Sequence, residues 1–401
     1  MESLVKPYEH QIKIANEAYK VLKENLLVYL SMQERTGKTL TSILISEMSK
    51  SKRILVVTKK KAIEGWEDTL KRFEHSKIYT IINYESLHKI SGVFDLIIVD
   101  EAHSKIASFP KTSKTWKELY KFTKNKPIIY LSATPSAQTR AQLYHQFKLS
   151  SWSPWSKFRD FYSWFRHYGI PETKYIGSRP IKIYDKVFDD DIKEETKHLF
   201  ISYTRKELGF EHEPNDILHY VDLCDKAKQQ YNTFMKHKVL ELEDGTLVLG
   251  DTPMSLRTRS HQIEGGTLVI DDEFYFLGHT DRIDYIKNEW GDTNQLVIFY
   301  QYRAEKVLLE KHFKKATILQ GTSFAEGVDL SMYKTCVVYS MDFSTAKYTQ
   351  RRARQCNMKR EEPIDFHFLL TKKARSEKVY NTVAVNRMNY VESYFEDEES
   401  L

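Results

Sequence analysis

The first 150 residues switch repeatedly between two hydrophobic patterns. Short continuous apolar runs at 26–30, 54–58, 96–99 and 128–132 are each followed by polar or small residues and then by a helical period. Continuous runs of that length read as strands buried on both faces. Their alternation with amphipathic helices predicts a parallel sheet covered on either side. Such sheets bind ligands beyond the carboxyl ends of their strands, so reactive residues are expected there.

From residue 151 to about 206 the pattern changes. Ser153 and Pro154 form an expected helix start, and Trp155, Phe158, Phe161, Tyr162, Phe165 and Tyr168 follow at helical spacing. These rings suit the core of a helical insertion. With Lys157, Arg159 and Arg166 alongside, they would also suit a platform for bases. A second α/β pattern starts near residue 215, with a helix at 226–238. Two hairpins, around Asp244–Gly245 and 271–273, flank the run 254–263. Strand runs then return at 296–300, 317–320, 336–340 and 366–370. The expected organisation is an α/β domain at 1–150, an aromatic-rich connector at 151–210, and a second α/β domain at 211–385. That second domain carries an insertion near 239–280, and an acidic tail follows at 386–401.

Composition narrows this picture only slightly. No apolar run approaches the ~20 residues of a membrane span. Glu2, Lys6 and His10 interrupt the start of the chain where a signal peptide would be apolar. Cys224, Cys336 and Cys356 are scattered, with neither disulfide nor metal spacing, which suits a reducing cytoplasm. A net charge of +6 permits a phosphate-backbone partner without demanding one.

Candidate chemistry changes more. Thr36, Gly37, Lys38 and Thr39 lie between a strand and a helix. Backbone N–H groups and the helix dipole there would favour phosphate, Lys38 would reach its outer oxygens, and the Thr39 hydroxyl would bind magnesium. Met32 stands where the full phosphate-loop pattern has its first glycine, and Arg35 where many such loops have another. The apolar run 96–99 ends in Asp100, Glu101, Ala102 and His103. There one carboxylate can hold magnesium and the next can take a proton from attacking water.

These residues bring a family into view. Asp100-Glu101-Ala102-His103 resembles motif II of the DEAD/DEAH helicases of superfamily two, and Ser132-Ala133-Thr134-Pro135 resembles their motif III. Pro7 to Gln11 resembles the adenine-reading element, with Gln11 as the base contact. Thr58, Lys59 and Trp66 resemble the following motif of Swi/Snf-type translocases, and Asn83 to Leu87 their tyrosine-containing segment. Farther on, 297–300 resembles motif IV, and Thr322, Ser323, Gly327 and Asp329 motif V. Gln350 and Arg354 resemble motif VI, whose second arginine is Asn357 here.

The resemblance, to compact phage-like members above all, implies two RecA-like domains. ATP and magnesium would lie in the cleft between them, contacted by Tyr8, Gln11, Thr36, Gly37, Lys38, Thr39, Asp100, Glu101, Gly327, Asp329 and Gln350. Arg354 would be the arginine finger, with Arg351 the second choice. It also implies a DNA partner, duplex or branched, met by Thr58, Lys59, Asn83, Gln301, Arg303, Thr322 and Ser323, and a monomeric helicase or translocase in the cytoplasm. An RNA helicase on the same scaffold, or a slow ATP-gated binding or loading module, are the alternatives.

Overall fold

The computed structural model describes residues 5–136, 139–176, 179–209, 214–321, 333–353, 365–386 and 390. The chain divides into two compact units, Met1–Gly209 and Phe210–Leu401. No helix among the described residues is long and apolar enough to cross a membrane.

The first unit opens with helix α1 (Glu9–Asn25), strand β1 (Leu27–Met32) and helix α2 (Lys38–Met48). Strand β2 (Arg53–Thr58), helix α3 (Ile63–Arg72), and strands β3 (Ile78–Asn83), β4 (Leu96–Asp100) and β5 (Ile128–Ser132) follow. A hairpin of β6 (Glu172–Ile176) and β7 (Arg179–Ile183) precedes a short strand, β8 (Phe200–Tyr203). One six-stranded sheet runs in the order β3-β2-β4-β5-β1-β8, every pairing parallel. Its central strands are apolar because both faces are covered: Leu96 to Val99 and Ile128 to Leu131 have no exposed surface. Registers such as Val57 with Val99 and Ser31 with Ser132 bring the strand carboxyl ends to one rim.

Residues 151–209 fall within the first compact unit. Trp155, Phe161, Trp164, Phe165 and Tyr168 are buried in the same core as Tyr29, Val99 and Tyr130. The expected helix start at Ser153 is a turn, with the Ser153 hydroxyl accepting from the Trp155 amide. The helix itself spans Phe161–Tyr168, and Asp160 caps it by accepting from the Ser163 amide at 2.8 Å. Of the two readings of these rings, packing is the one the burial supports. Apolar area removed from water outweighs any face left for bases, since Trp155 and Trp164 are wholly enclosed.

The second unit contains strands β9 (Asn215–Tyr220), β10 (Val239–Glu241), β11 (Leu247–Leu249), β12 (Thr267–Ile270) and β13 (Glu273–Phe276). Strands β14 (Leu296–Tyr300), β15 (Thr317–Gln320), β16 (Thr335–Val338) and β17 (Asp365–Leu370) complete it. Five of these strands form a parallel sheet in the order β15-β14-β16-β17-β9, while β10 with β11 and β12 with β13 make separate antiparallel hairpins. Gly245 at one tip and Asp271 and Asp272 at the other have positive φ, as tight hairpin turns require. Between the hairpins lies the helix Pro253–Glu264, with proline in its first turn and Thr252 as its cap.

Behind this sheet is a polar core that the sequence pattern did not disclose. Glu264 and Arg282 form an ion pair at 3.0 Å with neither side chain exposed. Arg282 also donates to the Tyr339 carbonyl at 2.7 Å, and the Ser376 amide and hydroxyl donate to Glu264.

Candidate nucleotide site

The loop between β1 and α2 is shaped by two left-handed residues, Arg35 with φ +64° and Gly37 with φ +82°. Arg35 accepts a conformation that usually selects glycine. A side chain at Gly37 would be strained by that φ, and its Cβ would have to displace the amide of Gln11. Gln11 is buried on the first turn of α1, and its Oε1 accepts from the Tyr8 amide at 2.9 Å. Tyr8 is half-exposed and stacks on His10, with ring centroids 5.5 Å apart. Gln11, expected to read adenine, and the loop glycine are thus in contact.

Lys38 folds back on the strand end, donating from Nζ to the carbonyls of Met32 at 2.8 Å and Gln33 at 3.0 Å. Burial draws the Lys38 ammonium below the usual lysine range, against the pull of Glu34, Glu101 and Asp100. The Thr36 hydroxyl donates to the Gln33 carbonyl at 2.7 Å, closing the loop on itself. The Thr39 hydroxyl has no hydrogen-bond partner among the described residues. Strand β8 supports the loop from outside: the Gln33 amide donates to Tyr203, and the Arg205 amide donates to the Gln33 side chain at 2.7 Å.

At the end of β4, Asp100 is held by three groups. The Thr58 hydroxyl donates to Oδ2 at 2.7 Å and the Trp66 indole to the same oxygen at 3.0 Å. The Tyr84 hydroxyl donates to the Asp100 carbonyl at 2.5 Å. Both side-chain bonds land on Oδ2, which turns Oδ1 toward other uses. Burial, reinforced by the Glu101 charge, lifts the Asp100 carboxyl above the usual aspartate range, against the Trp66 and Thr58 hydrogen bonds.

Glu101 sits in the left-handed region at φ +53°, ψ +43°. A non-glycine residue kept there costs about 1–3 kcal/mol, and such strain clusters at functional sites. Its carboxylate lies 3.2 Å from Lys59 Nζ and 3.7 Å from His103 Nε2. Burial acts to raise Glu101, but Lys59, His103 and Lys38 together hold it below the usual glutamate range. Burial draws His103 below the usual histidine range, against the pull of Glu101. His103 Nδ1 is 2.6 Å from the Ser132 hydroxyl, which also accepts from the Thr134 amide at 3.0 Å. The acidic run and the Ser-Ala-Thr run are therefore joined side chain to side chain. The loop can bind phosphate, Thr39 and Asp100 offer oxygen donors of the kind a hard cation takes, and Glu101 offers a carboxylate to a water. The donor set fits magnesium, which takes few protein oxygens and keeps waters and substrate phosphates for the rest.

Other expected residues fall differently. Thr58 and Asn83, expected to meet nucleic acid, turn inward: Thr58 is spent on Asp100, and the Asn83 side chain accepts from the Ser86 amide at 2.9 Å. Lys59 faces Glu101. Sequence reasoning gave no sign of these pairings, because the partners lie on different strands. In the second unit, Gln301 starts the turn after β14, where its amide donates to Glu305 at 2.9 Å. Arg303 is exposed, paired with Asp272 and close to the Phe274 ring. Among the described residues Arg351 has no hydrogen-bond partner; it is buried, 5.5 Å from the Phe299 ring centre. Gln350 lies in the helix Thr345–Ala353. Thr322, Ser323, Gly327, Asp329 and Arg354 lie outside the described residues.

The fold is α/β with two parallel sheets, and the first sheet carries a phosphate-loop-type turn beside an acidic strand end. Residues 71–137 match the family model described as type III restriction enzyme, res subunit. That stretch contains β3, β4, the Asp100–His103 run and Ser132, so the match takes in the segments that resemble motifs II and III. No curated protein matches the sequence significantly. Solved structures that align include the Sulfolobus solfataricus SWI2/SNF2 ATPase core in complex with double-stranded DNA, at 14% identity and TM-score 0.44. That alignment covers 96% of this chain and 93% of the other. The same organism's SWI2/SNF2 ATPase core domain also aligns, at 14% identity and TM-score 0.44, over 96% and 92% of the two chains.

Proposed function

We propose that the chain is an ATP-driven nucleic-acid motor that hydrolyses ATP with magnesium and moves on DNA, duplex or branched in preference to single-stranded. One observation carries the reading. Lys38 and Thr39 after β1, and Asp100 and Glu101 after β4, converge at the carboxyl rim of one sheet, with His103 bonded to Ser132. In the reaction, water oxygen bonds to the γ-phosphorus as the bond from that phosphorus to the ADP oxygen breaks. Glu101 takes the proton that the water loses. Lys38 and the loop amides hold the phosphates, Thr39 and Asp100 hold magnesium, and Tyr8 and Gln11 read the base. By family resemblance, Arg354, or Arg351 in its place, stabilises the transferring phosphoryl group.

The test is ATP hydrolysis measured with single-stranded DNA, duplex DNA, forked DNA and RNA. Stimulation by duplex or forked DNA supports the motor, stimulation by RNA alone favours the RNA-helicase alternative, and no stimulation defeats both. Glu101→Gln should abolish turnover while ATP binding persists; turnover near wild type would remove Glu101 from its role.

A further inference from the structure

The Lys59 ammonium occupies an unexpected place. It stands at the end of β2 on the nucleic-acid side of the resemblance, yet its charge is spent on the carboxylate that the reaction needs as a base. The two side chains are only 25% and 19% exposed, so the pair is shielded but solvent still reaches the ammonium. Lys59 also leads a run of three lysines at the amino end of the turn Lys60–Ala62, which continues into α3. Positive side chains at a helix amino end oppose the dipole, and an incoming anion relieves that opposition. Lys60 and Lys61 are exposed beside the paired Lys59. His103, 3.7 Å from the Glu101 carboxylate, stays bonded to Ser132.

We propose that Lys59 is a gate on the general base: it clamps Glu101 until a nucleic-acid phosphate competes for the ammonium and frees the carboxylate for water. The inference rests on the motor reading above and deepens it. An ammonium seated 3.2 Å from the carboxylate occupies the oxygen that would otherwise accept a hydrogen bond from water. A phosphate that recruits Lys59 removes that restraint. Stimulation by nucleic acid is then release of a local brake as well as any movement of larger parts. Lys59 acts through Glu101 and is a positioning residue.

The experiment compares ATP hydrolysis by the full chain, with and without linear duplex DNA, for wild type, Lys59→Met, Lys59→Gln and Lys59→Arg. The expected result is a basal rate that rises about fivefold or more in Lys59→Met and Lys59→Gln, the size expected of a partly shielded ion pair. The fold-stimulation by DNA shrinks to match, and Lys59→Arg keeps a low basal rate. Wild-type stimulation with an unchanged or lower basal rate in both neutral variants overturns the gate and leaves Lys59 a DNA contact or a support for Glu101. A wild-type rate indifferent to duplex DNA and to RNA overturns the motor reading itself, and the gate with it.

Discussion

Thr58→Val probes how Asp100 is held. The substitution keeps the shape of a fully buried side chain and deletes only the hydroxyl that donates to Asp100 Oδ2 at 2.7 Å. Water cannot take its place at a site with no exposure. A hydrogen bond to a charged group contributes about 1.5–3 kcal/mol, which is roughly 10- to 150-fold in a rate or binding constant. Trp66 still donates to the same oxygen at 3.0 Å, so the carboxylate keeps one anchor. The lower part of the range, about 10- to 30-fold, is therefore expected. The assay is DNA-stimulated ATP hydrolysis against magnesium concentration: kcat/KM should fall and the magnesium requirement should rise. Thr58→Ser keeps the hydroxyl and should stay within about threefold of wild type. Thr58→Val with Trp66→Phe should depart from additivity, since both groups share one acceptor. A wild-type rate and magnesium dependence in Thr58→Val would refute the reasoning. Equal damage in Thr58→Ser would do so too, because it would assign the effect to the methyl group.

Two further predictions concern stability. Arg282→Met leaves Glu264 buried without its cation and should cost about 3–5 kcal/mol in urea unfolding, while adding Glu264→Leu should restore much of that; a loss under about 1 kcal/mol would show that the pair contributes little. His261 is wholly buried, and burial, with Arg282 and Arg375 adding to it, holds its pKa well below 6.5. The unfolded chain therefore binds the extra proton first. The stability His261 contributes is complete above about pH 6.5 and falls below it by up to about 1.4 kcal/mol per pH unit. His261→Gln should flatten the acid side of the stability curve relative to wild type, and parallel curves would rule this out.

In the first sheet the strands legible in the sequence were those buried on both faces. Leu96 to Val99 and Ile128 to Leu131 are unbroken apolar runs because helices cover each side. The edge strands of the first sheet were not legible, whereas β15, an edge of the second, matches the run at 317–320. In β3, Ile78 is exposed and its neighbours only half-buried, so the run mixes polar and apolar positions. β8 has four residues and pairs with β1 about 170 positions earlier, a distance no local pattern crosses. The same limit governs the site. Residue types marked Lys38, Asp100 and Glu101, since their chemistry is carried in adjacent positions. The partners Thr58 and Lys59 are brought to Asp100 and Glu101 by neighbouring strands 42 residues apart. Ser153 was a sound cap by type, but Asp160 offers an acceptor nearer the buried rings and takes the role.

The position of β8 also decides how this chain can be cut. A fragment ending at residue 150 would carry every motif of the first unit and still lack its outermost strand. The N–H and C=O groups of β1 that pair with Phe200 to Tyr203 would be bare, and an uncovered edge of that kind invites association with other chains. The same cut removes the Tyr203 and Arg205 backbone groups that steady Gln33, so the phosphate loop would lose its outer wall. The smallest piece able to hold nucleotide should therefore run to Gly209, with its last strand lying against its first.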